Sequence, residues 1–538
     1  MIRPFNIFCS KFLSSQVNRV LVSLICPLIL SASLASVGYY GLAWFALVPL
    51  ILLNKSAKSL LSCFLETFIF LTIYNLVSFI WIFSIHPLSW LGLSNLESIS
   101  IASLAWILPS LYQSLLLSIF SIAVFLIYQF KDSKKHEELS LVEVLILSFI
   151  WALIQYKVFA SPNSPWSIFS IPVNQLAYSQ AMNSSLFNLF SIFGATGIEI
   201  LIVAFNLLLA NLVHLHDFNN SIYRVFHQSQ ASRGLFESNS MAKSIANIFF
   251  IVLIFVVIQS SSWLNFDEKR KDMDTALALR LVQANLDRKD TRSSNENLDS
   301  IINLQKELSL DSGSEISQKD LLIWSEAAIP SSTRDEDFQN LLANLAPYYS
   351  SFLFGTYSQS SDSSFNSLEL IDMQSSEARF YNKVNLVPFG EYTPFIKIFP
   401  ESVKKLAHNT IGTGFDRGDN EQELLSVNSR KFASNVCFEL LFPSLVREQV
   451  AKGAEFIVNV NDLSWFSNSM INDLFLAVAK VRALENRKDL VLVSNSGYSS
   501  YIQASGDISI ISNLNSQESF DLKIQPNDTL SIYNQYGW

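Results

Sequence analysis

The sequence predicts an α-helical membrane bundle followed by an α/β domain. Hydrophobic residues make up 50% of the 538 residues and charged residues 15%, whereas soluble proteins carry about 25% charged residues. The long apolar runs precede residue 264, and short β-rich runs follow residue 275. The net charge of −9 gives no basic surface, so nucleic acid is not an expected partner.

The first part, residues 1–263, is expected to span a membrane several times. A spanning helix needs about 20 mostly apolar residues. No signal-peptide cleavage site stands out, so the first run is interpreted as an anchor. The sequence gives about seven candidate spans, at 20–36, 38–54, 60–85, 99–129, 141–160, 187–213 and 245–263.

The charges between these runs predict the orientation of the bundle. Basic residues precede the first run and follow the second, fourth and sixth, whereas 87–98 has no Lys or Arg and 157–186 has only Lys157. Because cytoplasmic loops are rich in Lys and Arg, we expect a cytoplasmic N-terminus and place everything after Trp263 outside the cytoplasm. The basic residues of "DEKRKD" (267–272) oppose this orientation, and one miscounted span would reverse it.

The second part is predicted to be one α/β domain over residues 276–520. Short β-rich runs bounded by turn residues alternate there with helical patterns, of which "INDLFLAVAKVRALENR" (471–487) is the clearest. Such alternation is typical of an α/β domain. Residues 264–275 are expected to be a short linker, and residues 521–538 a tail without a clear final span.

Three titratable residues end or follow β-rich runs of this domain. Glu326 follows "LLIWS", Lys383 lies in "FYNKVNLVPFGEYTP", and Cys437 follows "FASNV". Side chains at strand ends of an α/β sheet face the crevice that binds ligands. A carboxylate can take a thiol proton, and a lysine ammonium or the backbone N–H of Phe438 can stabilise an oxyanion. Taken singly each signal is weak, since a lone cysteine is most often a buried packing residue.

The cysteines and histidines form no metal-binding pattern. The four cysteines include no C-x-x-C pair, and neither a carboxylate nor a cysteine cluster accompanies the close pair His214 and His216. We therefore expect no metal, no disulfide framework and no cofactor.

The surroundings of the three titratable residues resemble the Glu, Lys and Cys motifs of the nitrilase superfamily: "WSEAAIP", "YNKVNLVPFGEYTP" and "NVCFELLFPSLVRE". The longer context is similar to its membrane-bound branch, the apolipoprotein N-acyltransferase family. "LVQANL", "VNVNDLSWF" and "AVAKVRALENRKDLVLVSNSGYSSYIQASG" carry that similarity in the second part, and "SFIWIFSIHPLS", "SPWSIFSIPVNQLAYSQ" and "FGATGIEILIVAFNLLLANLV" carry it in the first. The resemblance covers residues 20–535.

The resemblance implies a role for each matching residue. Glu326 would be the general base, Lys383 the transition-state stabiliser and Cys437 the nucleophile. Supporting or substrate-binding positions would be Glu391, Phe438, Glu439, Trp465 and Phe466. The implied architecture is an αββα nitrilase-like sandwich on the outer face of the membrane bundle.

The implied reaction has two half-steps. Cys437 takes an acyl chain from a phospholipid as a thioester, and the amine of the lipidated N-terminal cysteine of a diacylglyceryl-modified apolipoprotein then accepts it. A thioester reacts readily with amines, and division of one transfer into two steps is what covalent catalysis offers. The implied location is the bacterial inner membrane, among membrane lipids, with the catalytic domain on the periplasmic side.

The sequence departs from the family pattern at several positions. Asn472 and Asp473 stand where Gln-His is usual, Phe438 stands where Tyr is common, and no Trp lies between Trp263 and Trp324. These departures bear on how a lipid substrate is positioned more than on thiol chemistry.

Three other functions are compatible with parts of the sequence. A membrane-tethered amidase or nitrile hydrolase would use the same three residues with water as acceptor, although a tether needs only one span. A catalytically inactive lipid-binding relative would not need all three residues. A transporter would use carboxylates within the membrane, for which Glu66, Glu143 and Glu199 are the candidates.

Residues 393–415 are predicted to form a segment at the bilayer surface. "TPFIKIFPESVKKLAHNTIGTGF" mixes Phe and Ile with three lysines, as interfacial segments do. We expect this segment to gate lipid entry; the alternative is an ordinary exposed loop. Fluorescent labels along it that report only bulk water, with and without lipid, would refute the prediction.

Overall fold

The structure is a computed structural model that describes residues 15–34, 37–131, 138–160, 169–213, 235–261, 276–286, 298–310, 318–329, 336–360, 363–394, 400–401, 404, 414–466 and 468–537, without the side chains of 235–244 and 298–299. The chain divides into two compact units. The first contains most described residues before 262. The second contains the described residues from 276 onward together with Trp81–Ala105.

Helices account for most of the described chain before residue 262. They are α1 (Gln16–Ser31), α2 (Val48–Lys55), α3 (Leu60–Ser78), α4 (Asn95–Leu117), α5 (Ile119–Phe130), α6 (Leu141–Leu153), α7 (Leu176–Ser179), α8 (Phe187–Val213) and α9 (Leu235–Ser261). Each predicted apolar run overlaps at least one of them.

Four helical stretches are long and apolar enough to cross a membrane. They are Leu60–Ser78, Asn95–Phe130, Leu141–Phe159 and Ser184–Val213. Gln16–Ser31, Tyr40–Lys55 and Ile245–Ser261 are apolar but shorter. The helical region is therefore confirmed, whereas the predicted count of about seven spans is not.

The three carboxylates considered for transport all have polar partners. Arg19 donates to both oxygens of Glu66 at 2.7 and 2.5 Å. Lys131 Nζ lies 2.6 Å from Glu143. Trp151 Nε1 and the backbone N–H of residue 177 each donate to Glu199 at 2.8 Å. A buried carboxylate requires such donors, so these contacts explain the three residues as structural elements.

The second unit is built around twelve strands within its described residues. They are β1 (Leu277–Gln283), β2 (Lys319–Trp324), β3 (Tyr349–Ser360), β4 (Ser363–Asp372), β5 (Ala378–Asn382), β6 (Leu425–Val427), β7 (Arg430–Val436), β8 (Phe456–Asn461), β9 (Leu490–Ser494), β10 (Ser500–Ile502), β11 (Ile508–Ile511) and β12 (Glu518–Ile524). The helices of this unit are α10 (Leu298–Leu310), α11 (Glu336–Leu345), α12 (Pro443–Ala451), α13 (Ile471–Asn486) and α14 (Ile532–Tyr536).

The strands form two six-stranded sheets with the same plan. The first has the order β12-β1-β2-β3-β4-β5 and the second the order β11-β10-β9-β8-β7-β6. In each sheet the three central strands, β1-β2-β3 and β7-β8-β9, pair in parallel and the outer strands pair antiparallel. Parallel strands need helical crossovers between them, which α10 to α13 supply.

Alternating apolar residues hold the two sheets together. Leu279 and Leu281 of β1 belong to one buried cluster with Val458 and Val460 of β8 and Val491 of β9. Each fully buried leucine or valine is stabilised by about 1.5–3 kcal/mol relative to exposure. These residues fill the space between the sheets.

The opposite face of the first sheet packs against helices. Val282 and Trp324 contact a cluster that includes Leu341 and Leu345 of α11, with Leu308 of α10 against it. On the second sheet, α13 packs against β9. The layers are thus helix, sheet, sheet and helix, and the predicted αββα sandwich is confirmed.

The last described elements of the second unit are β12 and α14. Strand β12 pairs with β1 as far as Ile524, and α14 follows it. The predicted linker 264–275 lies outside the described residues, as does most of the segment 393–415, so the interfacial hypothesis stays a prediction.

Candidate active site

The thiol of Cys437 lies at a sharp turn directly after β7. Cys437 has a backbone φ of +54° and begins a 3₁₀ helix that ends at Leu441. A positive φ is uncommon for a residue with a side chain, and such strained strand-to-helix turns present nucleophiles in other enzymes. The turn therefore displays the Cys437 side chain at the carboxyl end of a central strand.

Glu326 follows β2, the central parallel strand of the other sheet. The next residue, Ala327, has a φ of +50°. A Cβ on Gly355 of the adjacent β3 would lie 2.4 Å from the Ala327 nitrogen, so this turn requires glycine there. The Glu326 carboxylate accepts hydrogen bonds from Asn366 Nδ2 at 2.8 Å and from the backbone N–H of Asp462 at 3.0 Å.

Lys383 follows β5 and is buried between two carboxylates. Its Nζ lies 2.8 Å from Glu391 Oε1 and 3.5 Å from Glu326 Oε1. The other oxygen of Glu391 accepts from the backbone N–H of Val387 at 2.7 Å. The "PFGE" turn thus orients Glu391 toward the Lys383 ammonium.

Asn366 is a site residue that the sequence did not reveal. It lies on β4, and its Nδ2 donates to Glu326 at 2.8 Å and to Glu391 at 2.7 Å. One amide therefore holds both carboxylates around Lys383. Its only sequence signal is a polar residue in the middle of a β-rich run.

The charges of these groups explain the resting state of the site. Burial raises the pKa of the Cys437 thiol well above its usual range, the Glu326 charge raises it further, and the Lys383 ammonium opposes both. Burial also raises the pKa of Glu326, against the same ammonium. Although burial lowers the pKa of Lys383, the charges of Glu391 and Glu326 outweigh it, so the net shift is upward. The raised pKa of the thiol keeps Cys437 protonated at rest, and the raised pKa of Lys383 keeps its ammonium charged.

Glu439 connects the two loops that carry Lys383 and Cys437. Its Oε1 accepts from the backbone N–H groups of Val384 at 2.7 Å and Asn385 at 3.0 Å, and its Oε2 accepts from that of Val436 at 2.8 Å. Burial raises the pKa of Glu439 to about 7, although Lys383 and these N–H groups oppose the shift.

Replacement of Glu439 with glutamine is expected to destabilise the second unit by roughly 2–3 kcal/mol despite its equal size. The new amide would direct an NH₂ group at backbone donors that need an acceptor. Thermal unfolding of the purified variant measures the effect. Glu421→Gln, at an exposed ion pair with Lys452, is the matched control and should change Tm little. A Glu439→Gln variant with the Tm of the wild type would contradict this account.

The aromatic residues predicted to lie near the site form two separate groups of ring contacts. Phe438 and Phe466 have ring centroids 6.3 Å apart, and both contact Trp81, at 6.2 and 4.8 Å. Trp465 instead contacts Trp90 at 5.4 Å. Trp81 and Trp90 precede the catalytic region by more than 200 residues in sequence, and the sequence did not indicate them as site residues.

Comparisons with known proteins place this arrangement in a family. A model of the carbon-nitrogen hydrolase family matches residues 279–519, and the apolipoprotein N-acyltransferase N-terminal domain matches residues 27–208. A protein of Haemophilus influenzae named apolipoprotein N-acyltransferase is 23% identical over 533 residues, which cover 96% of this chain and 91% of that protein. The chain belongs to the apolipoprotein N-acyltransferase family. The resemblance seen in the sequence motifs is confirmed.

Two further relatives carry the same name. Proteins of the same name from Synechocystis sp. and Bdellovibrio bacteriovorus are 24% identical over 525 residues (94% of each chain) and 31% identical over 238 residues (41% of this chain, 43% of the relative). A carbon-nitrogen hydrolase superfamily structure from Xanthomonas campestris is 16% identical with a TM-score of 0.35 and covers 46% of this chain and 90% of that one. As a member of the apolipoprotein N-acyltransferase family, the chain is an acyltransferase and a membrane protein.

Proposed function

We propose that this family member N-acylates the lipidated N-terminal cysteine of apolipoproteins, with a phospholipid as acyl donor. One observation carries the proposal: the charges of Glu326 and Lys383 both act on the Cys437 thiol, and the Glu326 carboxylate lies 3.5 Å from Lys383 Nζ. A thiol beside a base and a cation is suited to covalent acyl transfer. The relatives' names supply the acceptor class, and the apolar helices suit two lipidic substrates.

In the first half-reaction Cys437 becomes acylated. Glu326 takes the thiol proton as the sulfur attacks the ester carbonyl of the phospholipid. The resulting oxyanion is stabilised by the Lys383 ammonium and the Phe438 N–H. Its collapse forms the thioester and expels the lysophospholipid oxygen, which receives the proton from Glu326.

In the second half-reaction the acyl chain moves to nitrogen. The α-amine of the diacylglyceryl-modified cysteine attacks the thioester carbonyl, and Glu326 accepts a proton from that amine. Collapse of the second oxyanion forms the amide and releases the Cys437 sulfur. The sulfur regains a proton from Glu326, so the enzyme returns to its starting state.

The remaining predicted residues would support these steps. Glu391 Oε1 lies 2.8 Å from Lys383 Nζ and keeps that ammonium charged. Glu439 holds the Lys383 and Cys437 loops through their backbone N–H groups. The aromatic rings of Phe438 and Phe466 provide an apolar surface at the nucleophile for an acyl chain, with Trp465 in the same loop as Phe466.

We also propose that residues 1–263 embed the protein in the bacterial inner membrane and that residues 276–520 act on its periplasmic side. The basic loops expected in the cytoplasm support this orientation. The measurement is protease digestion of spheroplasts that carry an epitope in the second unit. Protection of the epitope until the membrane is lysed would overturn the proposed side.

The acyl-enzyme provides the direct test of the function. Purified protein in detergent micelles is incubated with a phospholipid that carries a labelled acyl chain. We expect a hydroxylamine-sensitive label that Cys437→Ala abolishes and Cys63→Ala, at a buried thiol of the first unit, retains. Addition of a synthetic diacylglyceryl lipopeptide should move the label to that peptide.

The same experiment separates the alternatives. Release of the label as free fatty acid at the same rate with and without lipopeptide would favour a hydrolase. Absence of label on the wild-type protein, or equal label on Cys437→Ala, would refute the thioester and favour an inactive lipid-binding relative.

A further inference from the structure

We propose that Asn459 is a positioning residue for the nucleophile, and that Asn461 and Ser494 hold its amide in the required orientation. The proposal rests on the proposed role of Cys437 as acyl carrier. It concerns residues behind the catalytic turn that contact neither Glu326 nor Lys383 through any described hydrogen bond.

The Asn459 side chain holds the backbone of the catalytic turn. Asn459 lies on β8 opposite Asn435 of β7, two residues before the thiol. Its Nδ2 donates to the carbonyl oxygen of Cys437 at 3.0 Å and to that of Asn435 at 3.3 Å. Asn459 is completely buried, so water does not compete for these bonds.

The carbonyl that Asn459 holds belongs to the same peptide group as the Phe438 N–H. A peptide group is planar and trans, so its oxygen and its hydrogen point in opposite directions. The bond from Asn459 to the Cys437 oxygen therefore fixes the direction of the Phe438 N–H. That N–H begins a 3₁₀ helix, where backbone donors have no intrahelical acceptor. Asn459 thus orients an oxyanion donor without contacting substrate.

A chain of hydrogen bonds fixes which end of the Asn459 amide faces the turn. The Gly497 backbone N–H donates to Ser494 Oγ at 2.8 Å, and the Ser494 hydroxyl donates to Asn461 Oδ1 at 2.7 Å. Asn461 Nδ2 then donates to Asn459 Oδ1 at 3.2 Å.

Each link in this chain has only one possible polarity. It starts at a backbone N–H, which can only donate, and ends at the Cys437 carbonyl, which can only accept. The three side chains between these ends are completely buried. An inverted Asn459 amide would place its oxygen against the Cys437 oxygen, so the relay selects the orientation that supports the turn.

Two reactions of the same thiol test this role. Acylation of Cys437 by a p-nitrophenyl ester passes through an oxyanion, whereas alkylation by iodoacetamide displaces iodide at a saturated carbon and forms none. Loss of one oxyanion donor lowers rates by about 10²–10³-fold. We therefore expect Asn459→Leu, which misorients the donor, to lower acylation by roughly 10–100-fold while alkylation stays within about 3-fold.

Asn435→Leu is the matched control. Asn435 is as buried as Asn459, lies opposite it, and its amide has no hydrogen-bond partner among the described residues. Both rates should stay within about 3-fold in this variant. Ser494→Ala, which removes a more distant link, should lower acylation by a smaller factor of roughly 3–10-fold.

Two results would overturn the proposal. Equal loss of acylation and alkylation in Asn459→Leu would indicate a structural role alone, and wild-type acylation would indicate no role. If Asn459→Leu does not fold, the acylation and alkylation rates are measured instead in Asn459→Asp, which has the same shape but no amide donor. If the p-nitrophenyl ester acylates Cys437 but phospholipid does not, the proposed acyl donor is overturned. The ratio of acylation to alkylation would still decide the role of Asn459.

Discussion

Replacement of Lys383 with methionine is expected to lower acyl transfer by roughly 1,000-fold or more. The ammonium lies 2.8 Å from Glu391 and 3.5 Å from Glu326. Its loss removes the charge that we propose stabilises the oxyanion. It also removes the one influence that lowers the pKa of the Cys437 thiol and the main one that lowers that of Glu326. The thiol becomes harder to ionise while the base becomes easier to protonate.

The same substitution should destabilise the second unit in a pH-dependent way. Removal of one partner from a buried ion pair costs about 3–5 kcal/mol, because the other charge stays buried without compensation. Without Lys383 the folded-state pKa of Glu326, which burial already raises, lies still further above that of the unfolded chain. Carboxyl groups with raised folded-state pKa values favour the fold at low pH and lose that contribution as pH rises. The Tm deficit of Lys383→Met should therefore be smaller near pH 5 than near pH 8.

Lys452→Met is the matched control for both effects. Lys452 pairs with Glu421 at 2.7 Å, but both side chains are exposed, and exposed pairs contribute only about 0–1 kcal/mol. The measurements are the rate of label transfer from phospholipid and thermal unfolding at two pH values. A Lys383→Met variant with near wild-type transfer would refute the stabilising role of Lys383.

The three residues at the strand ends were predictable because their signals are local. Glu326, Lys383 and Cys437 each follow an apolar β-rich run within two residues. The carboxyl ends of parallel strands collect at one edge of a sheet. Position at a strand end therefore indicated that each side chain faces a crevice, whereas the family motifs indicated that Glu326 and Lys383 of one sheet meet Cys437 of the other.

Asn366 and Trp81 were not predictable because their contacts depend on long-range packing. Asn366 reaches Glu326 across 40 residues, and it does so only because β3 pairs with both β2 and β4 in one particular register. Trp81 follows α3 in an apolar run, but it belongs to the second unit rather than the first. Sequence spacing contains neither the sheet order nor that change of unit.

The strand β8 shows how a local pattern can mislead about burial. The alternation in "FIVNVN" predicts a strand with one apolar face and one polar face. The polar face of such a strand is usually exposed to solvent. The structure buries every residue of β8. The polar face instead carries the Asn459 and Asn461 amides that hold the catalytic turn, so its asparagines are internal hydrogen-bonding groups.

The length of an apolar run also overstates the length of a helix. The run 60–85 contains α3, which ends at Ser78, followed by a 3₁₀ helix from Ile80 to Ile85. Apolar residues continue past the end of the helix because tertiary packing buries them.

Replacement of Glu326 with glutamine is expected to lower acyl transfer by about 10²–10⁴-fold, the range attributed to general acid–base catalysis. Glutamine has the same shape and can still accept from Asn366 or from the Asp462 N–H. It cannot take a proton from the thiol. The variant thus removes the base and leaves the turn that carries it.

The reactivity of the thiol should change in the opposite direction. The charge of Glu326 is one of the influences that raise the pKa of Cys437. Its removal lowers that pKa, so iodoacetamide should alkylate Cys437 in the variant at least as fast as in the wild type. A loss of acyl transfer without a loss of alkylation would separate the base role from a general disturbance of the site.

The pH profile gives a second, independent test of the base. Burial raises the pKa of Glu326 above the usual carboxyl range, so wild-type transfer should fall as pH falls through this raised value. In Glu326→Gln the acid limb set by Glu326 should vanish, and the residual rate should instead rise only at the higher pH where the thiol ionises. Glu455→Gln, at the Arg430 ion pair, should keep the wild-type profile. An acid limb that persists in Glu326→Gln would assign the base to another group, of which Glu391, also held by Asn366, is the nearest candidate.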